Sequence, residues 1–143
     1  MGNVFLDIYH STLNVDQIVG VINDFEQFSS LDESDLEKLP EYAAVIARNI
    51  NVTPTQLRRF YGYVKSIEMA NRQTKEDVSD FKDKYKLKFI LPKIAGSSER
   101  DKLEVLYKVL DACLKGGKIN TVKDLRVFME FFEAILDYHT TVK

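Results

Sequence analysis

The sequence has few of the residues that build rigid or reactive sites: its 143 residues include one cysteine, two histidines and no tryptophan. Cys113 alone excludes a fold held together by disulfides within the chain. One cysteine and two histidines are also too few for a structural zinc site, and neither His10 nor His139 has a metal-ligand spacing. We therefore predict no metal and no cofactor. Cys113 and His139 are more simply explained as packed core residues.

Long apolar runs and glycine-rich loops are lacking as well. No run approaches the roughly 18 apolar residues that span a bilayer, and an uncharged N-terminus that reaches Asp7 so early is not typical of a signal peptide. The six glycines form no phosphate-binding motif, because Gly116 and Gly117 follow a predicted helix and are typical of helix termination. We expect a cytoplasmic protein with no membrane partner. No pattern of side chains indicates catalytic residues, so we do not predict an enzyme.

Helix-start signals dominate what is present. In Thr53-Pro54-Thr55-Gln56, a capping threonine and a first-turn proline precede a glutamine that can complete a capping box, which predicts a helix from about 54 to 71. Similar signals predict five further helices, beginning near Asn14, Pro40, Thr74, Ser98 and Thr121, the last covering about 122 to 140. Only residues 4 to 9 resemble a strand. The sequence therefore predicts an all-α fold, a compact bundle of about five or six helices.

The charges are unevenly distributed along the chain. The formal net charge is −2, yet residues 1–47 carry nine acids and one base, whereas residues 48–93 carry eleven bases and five acids. Such asymmetry indicates a localised electrostatic surface. We predict a single domain, residues 1–143, with an acidic N-terminal extension (1–45) and a helical core (46–142). The extension either folds back over the basic surface or faces a basic partner.

The basic residues recur at helical spacing. Arg58, Lys65 and Arg72 are seven residues apart and form one stripe on the helix predicted from 54 to 71. A second stripe, on the helix predicted to begin at Thr74, consists of Lys75, Lys82, Lys86 and Lys93. Two neighbouring basic stripes would bind phosphates without sequence preference and with strong salt dependence. The alternative is an ordinary solvated surface, since nearby acids such as Glu68 neutralise part of the field.

The last predicted helix is apolar on two faces. One face ends at His139, and the second consists of Val127, Phe131, Ala134 and Tyr138. A helix with two apolar faces is buried on two sides. Either the protein's own bundle or another subunit covers the second face, so these four residues are candidate interface residues.

Three blocks of the sequence resemble the small subunit of type III-A CRISPR effector complexes, the Csm small-subunit family. The blocks are VTPTQLRRFY with VKSI (52–61 and 64–67), KLKFILPK (86–93) and FMEFFEAILDYH (128–139). They occur in the family's order and extend over about residues 45 to 140. The family often continues after the proline-lysine pair with a tyrosine and a glycine-arginine pair, whereas this chain reads IAGSSER. Arg100 is therefore not carried over as an RNA contact.

The resemblance implies a non-catalytic, all-helical subunit. Copies of such subunits line the inner face of the ribonucleoprotein, where they hold guide RNA and target RNA by their backbones. The implied partners are these RNAs, other subunits of the Csm complex, and further copies of the chain as a dimer or a stack. The matching blocks carry the candidate RNA-binding residues, namely Arg58, Lys65, Lys86, Lys88 and Lys93, with Arg59 and Arg72 as additional candidates.

The sequence thus predicts a small subunit of a type III-A CRISPR interference complex that binds RNA backbone, scaffolds the complex and acts in antiviral defence. The alternative is a helical protein–protein interaction module with no nucleic-acid role. The two differ in one measurable property, because only the first binds RNA at low salt.

Overall fold

Seven α-helices make up most of the computed structural model, which describes residues 3–142. They are α1 (Val4–Asp7), α2 (Val15–Asp24), α3 (Glu33–Arg48), α4 (Pro54–Ala70), α5 (Ile90–Ala95), α6 (Glu104–Leu114) and α7 (Val122–Thr140). Three short 3₁₀ helices lie between them, at Phe28–Ser30, Lys84–Phe89 and Arg100–Leu103. The described residues are 69% helical and contain no strand, which confirms the predicted all-α class.

Helix α7 is the centre of the fold, because α3 and α4 both pack along it. It begins as the sequence predicts. The Thr121 hydroxyl accepts a hydrogen bond from the Asp124 N–H (3.2 Å), and the Asp124 carboxylate accepts one from the Thr121 N–H (2.8 Å). The side chains of Phe128, Phe132 and Ile135 are at most 1% exposed. Burial of this aromatic and aliphatic face stabilises the bundle.

The buried Asp124 carboxylate also joins α7 to the first third of the chain. It accepts hydrogen bonds from the Ser29 N–H (2.7 Å), the Gln27 side-chain amide (2.9 Å) and the Asn120 N–H (2.9 Å). Burial by itself would raise the pKa of Asp124, but the hydrogen bonds from Ser29, Thr121 and Asn120 hold it below its ordinary value. The ionised form of Asp124 is therefore part of the folded structure.

The acidic N-terminal residues belong to the same core as the rest of the chain. Ile18 and Ile22 of α2 and Phe28 of the following 3₁₀ helix are fully buried in it. Asp7 forms an ion pair with Arg48. This region is therefore part of the folded domain, and deleting residues 1–40 would remove core side chains together with the acidic residues.

One prediction about local structure in this region was wrong. Helix α3 does not begin at Pro40, because Asp32 caps it by accepting a hydrogen bond from the Asp35 N–H (2.8 Å). Pro40 lies inside the helix on its exposed side. The segment that resembles a strand in the sequence is helical as well: residues 4 to 7 form a helical turn, and the Asn3 side chain accepts hydrogen bonds from the N–H groups of Phe5 and Leu6.

The largest error concerns the helix predicted to begin at Thr74. Residues 71–83 form a chain of turns instead, followed by the 3₁₀ helix Lys84–Phe89 and by α5, which contains Pro92. The backbone of this segment bonds to other parts of the protein. The carbonyls of Val78 and Glu76 accept hydrogen bonds from the first N–H groups of α7, those of Val122 (3.0 Å) and Lys123 (2.9 Å). Tertiary hydrogen bonds thus replace the local helical ones.

Several predictions about single residues are confirmed. Cys113 and His139 are both fully buried, and His139 Nε2 lies 3.1 Å from the Ile50 carbonyl oxygen. Burial raises the pKa of the Cys113 thiol well above its ordinary value. Gly116 and Gly117 adopt left-handed conformations, with φ of 73° and 70°, directly after α6. Such angles favour glycine, and they end the helix.

Candidate nucleic-acid interface

Helix α4 presents basic side chains on two flanks. Thr53 caps it by accepting a hydrogen bond from the Gln56 N–H (3.3 Å), and its apolar side, which includes Leu57, Phe60 and Val64, is buried. The predicted capping box is only half formed, since the side-chain oxygen Oε1 of Gln56 is buried without a hydrogen-bond partner among the described residues. The buried face fixes the rotation of α4, so the remaining positions point outward on either side.

One flank of α4 forms a groove with α5 and the loop after it. The groove has a volume of about 710 Å³, and its lining includes Arg59 and Tyr63 from α4 and Lys93 from α5. Gly96, Ser97 and Ser98 of the following loop also line it. The side chains of Arg59 and Lys93 are exposed. The groove therefore combines two cations with hydroxyl and backbone groups, which is the combination that contacts nucleic-acid phosphates.

Tyr63 holds the two walls of this groove together. Its hydroxyl donates a hydrogen bond to the Lys86 carbonyl oxygen (2.8 Å), and the Lys93 ammonium lies 5.0 Å from the centre of its ring. Burial raises the pKa of Tyr63, so its hydroxyl remains a donor at neutral pH. The ring and the ammonium form a cation–π contact that orients Lys93 along the groove.

The other flank of α4 carries both basic and acidic side chains. Arg72 lies 2.8 Å from the Glu68 carboxylate, and Arg126 of α7 lies 3.4 Å from the same group. Lys65 is exposed, with its ammonium 5.9 Å from the Tyr61 ring centre. Glutamates 130 and 133 line the same shallow depression as Lys65. Burial raises the pKa of Tyr61, and Glu133 raises it further. These glutamates therefore neutralise part of the positive electrostatic potential on this flank.

The predicted basic residues are thus divided between different surroundings. Lys93 and Arg59 share the groove, whereas Lys65 and Arg72 share the mixed flank. Arg58 is exposed on α4, seven residues before Lys65.

The second predicted stripe does not exist as a helical face. Lys75 and Lys82 lie in the turns of 71–83, Lys86 lies in the 3₁₀ helix and Lys93 in α5. The Lys86 ammonium is 3.5 Å from the Asp83 carboxylate, and Lys88 is exposed.

Sequence reasoning missed three aromatic residues near this surface. Tyr63 was not distinguished from other residues of α4, although it follows Arg59 by four positions and so shares its face. Tyr85 and Phe89 lie in the segment predicted as a helix from Thr74 and were not among the candidate RNA-binding residues, yet both are exposed. The alternation of lysine with aromatic and apolar residues in KYKLKF was a signal that could have identified them.

The four candidate interface residues of α7 lie mainly within the protein's own bundle. Phe131 is 1% exposed, while Val127, Ala134 and Tyr138 are partly buried against the core. The Tyr138 hydroxyl lies 3.1 Å from the Tyr9 hydroxyl. The bundle therefore explains most of the second apolar face, and the three partly buried side chains are what remains accessible to another subunit.

The described part of the chain has neither a cluster of metal ligands nor a membrane-spanning helix. Residues 3–142 contain no group of three or more His, Cys, Asp or Glu side chains that could hold a metal ion. No helix among the same residues has the length and apolar character required to cross a membrane.

Comparison with known proteins gives one match. The family model described as Csm2 Type III-A matches residues 33–143. No curated protein and no solved structure matches the chain. The match begins at the start of α3, so it includes part of the acidic region as well as the groove and α7. Because it covers well over half of the sequence, the chain belongs to the Csm2 Type III-A family, the small subunits of type III-A CRISPR effector complexes.

Proposed function

We propose that this subunit holds the backbone of guide or target RNA in the groove between α4 and α5, as a non-catalytic scaffold of the effector complex in antiviral defence. The observation that carries the proposal is the shared position of Arg59 and Lys93 in one open groove. Contacts of this kind are made to phosphates and sugars, so they give affinity without sequence preference.

The charge balance supports the groove over the rest of the surface. Arg72 and Arg126 share the Glu68 carboxylate, and an arginine paired in this way is less available to a phosphate. Arg59 and Lys93 line the groove without an acidic side chain in its lining among residues 3–142. Arg58, Lys65, Lys86 and Lys88 extend the basic surface along α4 and the 3₁₀ helix. We assign them secondary contacts to the same RNA.

The scaffolding role requires surfaces for protein partners. Helix α1 and the residue that follows it place three apolar side chains in solvent, since Val4, Phe5 and Ile8 are 68%, 62% and 66% exposed. Such a patch is typical of a protein contact. We propose that it and the accessible residues of the second α7 face contact other Csm subunits or further copies of this chain. This patch is also the observation that favours the alternative, a protein-interaction module without RNA.

Binding of single-stranded RNA by the isolated protein tests the proposal. Replacing both groove cations, as Arg59→Gln with Lys93→Gln, should weaken binding of labelled poly(U) by about tenfold at low salt, because two phosphate contacts are lost. Fluorescence anisotropy measures the effect. Replacing Arg58, Lys65, Lys86 and Lys93 together by Ala should leave little binding.

A matched variant controls for net charge. Lys38→Gln with Lys108→Gln removes the same two charges from exposed positions on α3 and α6. It should bind RNA nearly as well as the unmodified protein. Equal losses in the two double variants would show a diffuse electrostatic effect rather than a groove, and no RNA binding at low salt would favour the protein-interaction module.

A further inference from the structure

Two large aromatic side chains lie side by side in solvent next to the groove. Tyr85 and Phe89 are 68% and 54% exposed, and their ring centres are 6.3 Å apart with an angle of 89° between the planes. The two rings therefore meet edge to face, and a large part of each ring stays exposed to solvent. Adjacent exposed aromatics of this size mark a binding surface more often than chance solvent exposure.

The backbone that carries the pair is firmly held. Leu87, between the two aromatics in the chain, is buried, and the Lys86 carbonyl accepts the hydrogen bond from Tyr63. The Lys84 ammonium donates to the Ser79 carbonyl (2.8 Å) and to the Asn120 carbonyl (2.9 Å). The rings are thus presented from an ordered segment, so little conformational entropy is lost when a ligand packs on them.

The surroundings of the pair are mainly cationic. Lys82 and Lys88 are exposed nearby in the chain. Asp80 and Asp83 line the depression beside Tyr85, but Asp83 is paired with Lys86 at 3.5 Å. A surface that mixes aromatic rings with lysines fits a polyanion with flat apolar groups.

The pair is continuous with the groove. Phe89 has helical backbone angles and directly precedes α5, so Lys93, four residues later, lies next to it on the same side of the helix. Lys93 in turn lies over Tyr63 inside the groove. The spacing therefore places the aromatic pair on the same side of this segment as Lys93, one of the two groove cations.

We propose that Tyr85 and Phe89 form a stacking platform for the bases of single-stranded RNA. The inference rests on the proposed function, because the RNA that stacks here is the strand whose backbone lies in the groove. Bases with free faces stack on aromatic side chains irrespective of sequence. The platform adds preference for unpaired RNA over duplex, which backbone contacts alone do not supply.

The test compares RNA with and without bases. The double variant Tyr85→Leu with Phe89→Leu should bind poly(U) about tenfold more weakly than the unmodified protein, while its affinity for an abasic ribose-phosphate oligomer of equal length stays the same. The single variant Phe5→Leu, which alters an aromatic of similar exposure on α1, should change neither affinity. Circular dichroism and thermal unfolding confirm that each variant is folded.

A tryptophan reporter gives an independent readout. The sequence contains no tryptophan, so Tyr85→Trp introduces a single tryptophan, at the platform, which can be excited selectively. Addition of poly(U) should quench its emission strongly, and the abasic oligomer should not. This measurement does not depend on the loss of affinity in a variant.

The outcomes separate the platform from the groove. If the unmodified protein binds poly(U) and the abasic oligomer equally, the platform is wrong and the groove stands. If it binds neither, the proposed function fails. If the leucine double variant keeps its RNA affinity but no longer assembles with the other Csm subunits, the aromatic pair is a protein contact and the platform is overturned.

Discussion

Helix α7 and the basic segment 71–96 show two ways in which this sequence determines structure. In α7 the capping groups, the apolar periodicity and the two buried faces all specify the same helix, and its bounds agree with the sequence prediction. In the basic segment the backbone groups bond to α7 and to side chains of distant residues, so local periodicity predicts the wrong element. The first region stabilises the fold, and the second exposes the cations and aromatic rings.

The largest difference is expected between two phenylalanines. Phe132 of α7 is fully buried, whereas Phe89 is 54% exposed. Phe132→Ala should lower the free energy of unfolding by about 3–5 kcal/mol, because it removes buried contacts and leaves a cavity. Phe89→Ala should change it by less than about 0.5 kcal/mol. Chemical denaturation measures both, and similar losses for the two variants would contradict the contrast.

The Asp124 carboxylate should have the next largest effect. In the unmodified protein, several N–H groups donate to the Asp124 carboxylate. Asp124→Asn places an amide donor among them, which should lower the free energy of unfolding by about 2–3 kcal/mol.

The effect of Asp124 should also depend on pH. Because the folded-state pKa of this carboxyl is lowered, its contribution is complete above the ordinary pKa of an unfolded aspartate and is lost as the pH falls through the folded-state value. Denaturation from neutral to acidic pH should therefore show the two proteins converging. A constant difference across that range would exclude a role for the ionised form.

A smaller effect is expected from Asn71, which connects α4 to the basic segment. Its side-chain amide donates to the Ile67 (2.9 Å) and Lys82 (2.8 Å) carbonyls, and its oxygen accepts from the Lys82 N–H (3.0 Å). Asn71→Ala should lower the free energy of unfolding by about 1–2 kcal/mol, because these hydrogen bonds are lost. Hydrogen exchange should accelerate in residues 72–83 and remain slow in α7. Equal acceleration in both regions would show that the segment is not held separately.

These contrasts explain how much the sequence predicts. Helices α4 and α7 follow from Thr53 and Thr121, because a cap and a regular apolar face are local properties. The start of α3 was predicted wrongly because proline is typical of a first helical turn, whereas Pro40 lies inside the helix that Asp32 caps. The groove depends on how α5 crosses α4, which brings Lys93 to Arg59 across more than thirty positions. No periodicity within one helix contains that information.

The salt dependence of RNA binding tests the central claim most directly. For the unmodified protein, the logarithm of the poly(U) association constant should fall linearly with the logarithm of salt concentration, with a slope of about −0.7 for each phosphate contacted. In the Arg59→Gln with Lys93→Gln variant, the slope should become shallower by about 1.4, since two contacts are removed. An unchanged slope in that variant, or binding that does not respond to salt, would contradict the assignment of the groove as the RNA-binding site.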